Sequence, residues 1–87
     1  MKYDTAIQAV ADGTPVRRST WPPDTFLIRV PGSTITVEAD RPLGQAAPAL
    51  IGKTVRYLAH IDLYRDGELS PYHPQLDDRS TNDWETA

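Results

Sequence analysis

Apolar residues near the start of the chain recur at the spacing of a helix. Tyr3, Ala6, Ile7 and Val10 fall on one face at intervals of three or four residues. Gly13 predicts the end of the helix, because glycine readily adopts the left-handed conformation that closes one. The pattern therefore predicts one amphipathic helix, followed by a break.

From residue 16 onward, the apolar positions alternate with a period of two, which is typical of β-strands. The candidates are a short strand at residues 16–18, a strand at Phe26–Val30 and, after a turn at Pro31-Gly32-Ser33, a returning strand at Thr34–Glu38. Residues 39–53 are rich in alanine, glycine and proline and predict a loop with a short helical turn near residues 45–50.

The longest strand candidate, Thr54–Tyr64, is followed by Asp66-Gly67, a strong signal for a two-residue hairpin turn. That turn fixes the pairing of the strands on either side of it. It would place Arg65 opposite Glu68, Tyr64 opposite Leu69, Asp62 opposite Pro71 and His60 opposite His73.

The tail from Asp77 to Asp83 is polar and turn-like, and Trp84 is predicted to anchor it to the core. The predicted fold class is α+β. One N-terminal helix is followed by an antiparallel sheet of about five strands, in a single small domain that spans residues 1–87.

The chain has 87 residues, no cysteine and a net charge of −3. A domain this short buries a limited core and has no disulfide to support it, so we expect self-association. The acidic balance argues against a general DNA or RNA binder. We find no apolar stretch long enough for a membrane span and no signal peptide, which predicts a cytosolic protein.

Arg17, Arg18 and Trp21 are the most informative residues for function. Guanidinium groups pair with phosphate oxygens, and an indole face stacks on nucleobases, so the segment is typical of a binder of a flat anion. The alternative is a strand with solvated arginines and a core tryptophan. Because adjacent strand residues point to opposite faces, one arginine alone would face such a ligand.

Two further groups of residues could carry chemistry. His60, Asp62 and His73 could converge in the predicted hairpin as a metal site or a general base, or could simply stabilise the sheet or a subunit contact. We find no firm third or fourth metal ligand, so we predict no metal and no cofactor. The turn at Pro31-Gly32-Ser33 either admits a ligand close to its backbone or only connects two strands.

Several segments together resemble the second Thoeris anti-defence family, a family of small phage proteins, over nearly the whole length. They are the helix to Gly13, Val16-Arg17-Arg18 with Trp21, Phe26 to Ser33, His60-Ile61-Asp62-Leu63, Asp66-Gly67, Pro71-Tyr72 and Asp83-Trp84. The chain differs from the family pattern in having Tyr72 for a tryptophan and Pro22-Pro23 for Asn-Gly.

The resemblance implies a sponge, a protein that sequesters a cyclic ADP-ribose-type immune signal without cleaving it. Such proteins act in the cytosol of the host bacterium and block the Thoeris effector. The resemblance also implies a homotetramer, a dimer of dimers with ligand pockets between subunits. Some members hold cyclic oligonucleotides at a separate site, which adds cyclic di- and trinucleotides to the expected partners.

Carried over by position, the resemblance assigns ligand contacts to the basic pair, the tryptophan, the turn and part of the closing segment. The expected ligand-binding residues are Arg17, Arg18, Trp21, Phe26, Pro31, Gly32, Ser33, Tyr72 and Asp78. His60, Asp62 and Trp84 are expected to be structural or to contact another subunit. Two alternatives remain at this point: an enzyme that cleaves the signal with His60, Asp62 and His73, and a module that inhibits a protein partner.

Overall fold

The structure, a computed structural model, describes residues 1–87 and contains three short α-helices and seven β-strands. In chain order they are α1 (Tyr3–Ala11), β1 (Val16–Arg18), β2 (Phe26–Val30), β3 (Ser33–Thr36), α2 (Pro42–Ala46), β4 (Thr54–Tyr57), β5 (His60–Arg65), β6 (Glu68–Pro71), α3 (Leu76–Ser80) and β7 (Trp84–Thr86), with a 3₁₀ turn at Pro48–Leu50. The predicted α+β class is confirmed. None of the helices has the length and apolar character needed to cross a membrane.

Five strands form one antiparallel sheet in the order β6-β5-β2-β1-β7. The predicted hairpin is confirmed, since Arg65 lies opposite Glu68 and the register continues to Asp62 opposite Pro71. Asp66 has a φ of 52° and Gly67 one of 81°, as the tight turn requires. The ladder ends at Pro71, so the expected pair of His60 and His73 is not part of it.

Helix α1 lies on one face of this sheet and forms the core with it. The buried cluster consists of Ala6 and Val10 from the helix and Val16, Leu27 and Trp84 from the sheet. The predicted anchoring role of Trp84 is confirmed, because this indole is 2% exposed. Five residues make a small core, as expected for a chain of this length.

Strands β3 and β4 form a separate two-stranded sheet. The prediction that the strand after Pro31 returns beside β2 is therefore wrong, because β3 pairs with β4. The prediction of one continuous strand from Thr54 to Tyr64 is also wrong, since it is interrupted after Tyr57. Pro31, which directly follows β2, has no backbone N–H, so the ladder cannot continue through this residue without a break.

Both ladders nevertheless keep one register. Val30 faces His60 in the main sheet, and Ser33 faces Tyr57 in the second sheet. The second sheet is therefore a continuation of the β2–β5 pair beyond the domain body. We call residues 33–59, which include this sheet and α2, the arm, and the rest of the chain the body.

The arm makes the molecule elongated, with extents of 46 × 24 × 21 Å and a radius of gyration of 16.5 Å. A compact domain of this length would have a radius of about 12 Å.

Candidate functional site

The two adjacent arginines of β1 point to opposite faces of the sheet, as the strand alternation predicts, and both contact acceptors within the chain. Arg17 donates to the carboxylate of Glu85 and to the backbone carbonyl of Trp21. Arg18 donates through Nε and Nη2 to the two oxygens of Asp83, at 3.0 and 3.2 Å. Both side chains are largely buried, with 15% and 17% exposed, so neither presents a free guanidinium to solvent.

The carboxylate of Asp78, a residue of α3, connects β1 with the segment after β6. Arg18 Nη1 donates to Asp78 Oδ1 at 3.1 Å, and the Tyr72 hydroxyl donates to Oδ2 at 2.9 Å. The Gln75 backbone N–H also donates to Oδ2, which caps α3. Asp78 is 5% exposed, so this buried carboxylate depends on these donors.

This network changes the acid–base properties of its members. Hydrogen bonds from Arg18 hold the pKa of Asp83 below its ordinary value, and the same contacts raise the pKa of Arg18. Burial, followed by the hydrogen bond to Asp78, raises the pKa of Tyr72 well above its ordinary value. Tyr72 is therefore a neutral hydrogen-bond donor at physiological pH.

Trp21 is half-buried beside this network. Its ring meets that of Trp84 edge to face, with the ring centroids 5.2 Å apart and an interplanar angle of 79°. Trp84 Nε1 in turn donates to the backbone carbonyl of Asp78. Trp21 is thus partly a core residue, as the alternative interpretation from the sequence proposed, but it also lines a cleft.

That cleft has a volume of about 390 Å³. It lies between the loop before β2 and the segment after β6. The lining residues are Trp21, Pro22, Thr25, Leu63, Arg65, Pro71, Tyr72, His73, Gln75 and Asp78. Three residues that the sequence assigned to ligand binding, Trp21, Tyr72 and Asp78, are therefore brought together here.

Among the cleft residues that sequence reasoning did not assign to the site, two carry polar groups without a partner. Arg65 is exposed there, and the structure gives it no carboxylate partner. The Thr25 hydroxyl is buried and has no hydrogen-bond partner. Strand alternation was a signal for Arg65, because it places this residue on the same face of β5 as Leu63, which packs against the core.

Other predicted ligand residues lie elsewhere in the chain. Phe26 stacks on Tyr64, with centroids 4.9 Å apart, on the face of the sheet opposite α1. Pro31, Gly32 and Ser33 follow the far end of β2, about 16 Å along the strand from its start. Within one chain, neither group lines the cleft.

The position of Gly32 has its own structural explanation. A Cβ atom there would lie 2.4 Å from the carbonyl oxygen of Tyr57 and 3.0 Å from the backbone nitrogen of Ala59. The close approach that this glycine permits is therefore between two backbone segments of the same chain.

The histidines do not meet. His60 Nε2 lies 3.3 Å from Asp62 Oδ1, but the geometry of this contact is not that of a hydrogen bond. His73 lines the cleft with Trp21, whereas His60 lines a different cavity with Ala11. No group of three or more histidine, aspartate or glutamate side chains is arranged to hold a metal ion.

The largest cavity, about 600 Å³, lies between the start of α1 and the end of α3. Its lining is polar and includes none of the residues that the sequence assigned to ligand binding. We therefore place the candidate site in the smaller cleft, which brings together Trp21, Tyr72 and Asp78 from the residues that the sequence assigned to ligand binding.

The comparison with known protein families agrees with the resemblance found in the sequence. No curated protein matches the chain. The model of the Tad2-like family, described as the Thoeris anti-defense 2-like domain, matches residues 1–87. The match supports a phage anti-Thoeris role. Since it covers the whole chain, the protein belongs to the Tad2-like family of Thoeris anti-defence domains.

Proposed function

We propose that this protein is a sponge that captures a cyclic ADP-ribose-type signal and holds it intact, so that the Thoeris effector is not activated. The observation that carries the proposal is the cleft in which Trp21, Tyr72 and Arg65 line one space. A flat base, a ribose and a pyrophosphate require an aromatic surface, hydrogen-bonding groups and a cation. This cleft offers one of each.

The volume of the cleft fits this class of ligand. Ligand pockets commonly measure about 300–1,000 Å³, and this one is about 390 Å³. Stacking on an aromatic ring contributes about 1–3 kcal/mol per base. A charge-assisted hydrogen bond from Arg65 to a phosphate oxygen contributes about 1.5–3 kcal/mol.

Arg65 is proposed as the phosphate-binding cation in place of the basic pair of β1. Arg17 and Arg18 would have to leave carboxylates and backbone acceptors before they could contact a ligand. Breaking a buried ion pair is costly, because it leaves one charge without a partner. Arg65 has no such partner to lose. Arg17 and Arg18 then support the cleft by fixing Trp21 and Asp78.

Capture by mass action requires protein in excess and a dissociation constant near 100 nM, which corresponds to roughly 9–10 kcal/mol. We propose that the body provides this site in the host cytosol and that the working form is an assembly of several copies. Phe26 and the turn at Pro31-Gly32-Ser33, which lie outside the cleft of their own chain, are then available for contacts made between copies.

Geometry gives less support to a signal-cleaving enzyme. The histidines required by that hypothesis line different cavities, so His60 cannot assist chemistry at Trp21 within one chain. The sponge needs only binding groups, and the aromatic and cationic side chains that line the cleft support this proposal.

A depletion assay tests the proposal. The protein is mixed with cyclic ADP-ribose isomers and removed by ultrafiltration, and the free nucleotide is quantified. We expect the wild type to deplete one isomer and Arg65→Gln to bind it about 10- to 100-fold more weakly. Arg29→Gln, an exposed arginine outside the cleft, is the matched control and should change affinity less than twofold.

Two outcomes would contradict the proposal. If the wild type depletes no isomer, the sponge function is wrong. Equal depletion by Arg65→Gln and the wild type would mean that another group binds the phosphates.

A further inference from the structure

We propose that the hydroxyl of Thr25 is a second phosphate-binding group of the cleft and donates a hydrogen bond to the same phosphate group that Arg65 contacts. The inference rests on the proposed function, because it names a further contact for the ligand of that site.

The hydroxyl of Thr25 is both buried and without a partner. Thr25 is 5% exposed, and its Oγ1 atom makes no hydrogen bond within the chain. A buried hydroxyl in this state has lost its hydrogen bonds to water and gained none in return, so it lowers the stability of the free protein. Valine has nearly the same shape and carries no such penalty. A partner that arrives from outside the chain explains why a hydroxyl occupies this position.

The turn before β2 fixes the position of Thr25 in the cleft. The Thr25 N–H donates to the carbonyl oxygen of Pro22 at 3.0 Å, and the Trp21 N–H donates to that of Arg18 at 3.0 Å. Trp21, Pro22 and Thr25 all line the cleft. The hydroxyl therefore belongs to the same hydrogen-bonded segment as the aromatic surface of the site.

Strand pairing places Thr25 beside Arg65. Phe26, the first residue of β2, lies opposite Tyr64 in β5. Because the two strands are antiparallel, the residue before Phe26 lies next to the residue after Tyr64, and both side chains point to the same face of the sheet. The Cβ atoms of such cross-strand neighbours are about 4.5–5.5 Å apart. Both residues line the cleft, so a hydroxyl and a guanidinium lie side by side there.

The chemistry of this pair fits a phosphate group. An arginine side chain has only donors, and a hydroxyl can donate its own proton, so the two groups can donate to the oxygens of one anion. Hydrogen bonds to an ionised acceptor are about twice as strong as those between neutral groups. The buried carboxylate of Asp78 does not take this proton, because its oxygens accept hydrogen bonds from three other donors.

Access to the hydroxyl requires a small rearrangement of the cleft. The Oγ1 atom has almost no surface exposed to solvent, so a neighbouring side chain has to move before a ligand reaches it. Arg65, His73 and Gln75 are exposed members of the lining, and exposed side chains change rotamer on the picosecond to nanosecond timescale. We expect Arg65 to turn onto the bound phosphate and thereby open the neighbouring hydroxyl, without a change in the backbone.

Thr25→Val tests the inference, because valine keeps the shape of threonine and removes the hydroxyl. The probe is the cyclic ADP-ribose isomer that the wild type depletes, and we expect calorimetric titration to show at least about tenfold weaker binding. Without nucleotide, the urea midpoint of the variant should equal or exceed that of the wild type. A lower midpoint would show that the hydroxyl already has a partner in the free protein and would overturn the inference.

The same experiment distinguishes this inference from the proposed function. If the wild type captures no isomer, the proposed function is wrong and the role of Thr25 falls with it. If the wild type captures an isomer and Thr25→Val captures it equally well, the sponge stands and the role of Thr25 alone is wrong.

Two further variants separate the hydroxyl from the packing around it. Thr25→Ser retains the hydroxyl and should bind the nucleotide more tightly than Thr25→Val, although it loses a buried methyl group. Thr86→Val, at an exposed position of β7 outside the cleft, is the matched control and should change the affinity less than about twofold. Binding by Thr25→Ser as weak as that of Thr25→Val would mean that the shape of the side chain matters and not its hydroxyl.

A double-mutant cycle tests whether Thr25 and Arg65 contact one phosphate group. Since each side chain positions that group for the other, Thr25→Val should weaken binding at least about threefold less in the Arg65→Gln background than in the wild type. Independent effects of the two substitutions would mean that the side chains hold different parts of the ligand, which would overturn the shared contact.

Discussion

Asp78 connects the parts of the candidate site, because it accepts hydrogen bonds from Arg18, Tyr72 and the backbone of Gln75. Asp78 is nearly inaccessible to solvent, and both of its carboxylate oxygens already accept hydrogen bonds from within the chain. The expectation that Asp78 contacts the ligand remains a prediction. The structure gives this residue a second role, which is to hold Tyr72 at the edge of the cleft.

Trp21 has two roles, and truncating its side chain would remove both at once. Its contact with Trp84 means that Trp21→Ala would lower the free energy of unfolding by about 2–4 kcal/mol as well as remove a stacking surface. Trp21→Phe keeps an aromatic ring in place. We expect this variant to remain folded and to capture the nucleotide about tenfold more weakly, as measured by equilibrium dialysis. Wild-type affinity would argue against stacking on the indole.

The ion pair between Arg18 and Asp83 makes stability depend on pH. The pKa of Asp83 is lowered in the folded state, so the pair stabilises the fold above the ordinary carboxyl pKa of about 4. That contribution is lost as the pH falls through the lower folded-state value. In urea titrations, we therefore expect Asp83→Asn to be less stable than the wild type at pH 7, with the difference shrinking at pH 3.

Asp24→Asn, in the exposed turn before β2, is the control for this measurement. It should follow the wild type at both pH values. A difference between the wild type and Asp83→Asn that is as large at pH 3 as at pH 7 would mean that the pair contributes packing and not charge.

At the scale of elements, the junction between body and arm depends on Gly32. A side chain there would overlap the carbonyl oxygen of Tyr57, which lies 2.4 Å from the added Cβ. We expect Gly32→Ala to lower the free energy of unfolding by about 2 kcal/mol, measured by urea denaturation. Ser33→Ala, at the next and exposed position, should change it by less than about 0.5 kcal/mol. Equal stability of the two variants would contradict the close approach.

Local signals explain which elements the sequence predicted. Helix α1 follows from its periodicity, and the β5–β6 hairpin follows from Asp66-Gly67, because each pattern acts within a few residues. The arm was not predictable in the same way. Pro31-Gly32 is typical of a hairpin turn, yet the partner of β3 is β4, about twenty residues further along the chain.

The candidate site was predictable only in part for the same reason. Arg17 pairs with Glu85 and Arg18 pairs with Asp83, which lie 68 and 65 residues further along the chain. No local pattern in the sequence reports such pairing, so both arginines were predicted to be available for a ligand. The convergence of Trp21 and Tyr72 was anticipated through the family resemblance, whereas the contribution of Arg65 emerges from the fold.

At the scale of the whole molecule, the chain divides its tasks between two parts. The body contains the core and the cleft, and the arm extends the molecule to 46 Å while burying little of its own surface. In our account, the body binds the signal. The assembly of several copies proposed above would stabilise a small core and present several binding clefts on one particle.

The most direct test of the central claim follows the fate of the captured nucleotide. The protein is loaded with a cyclic ADP-ribose isomer, freed of unbound ligand, heated until it denatures and centrifuged, and the supernatant is analysed by mass spectrometry. We predict that the nucleotide is released with its original mass. A linear product, one water molecule heavier, would contradict the sponge and indicate an enzyme.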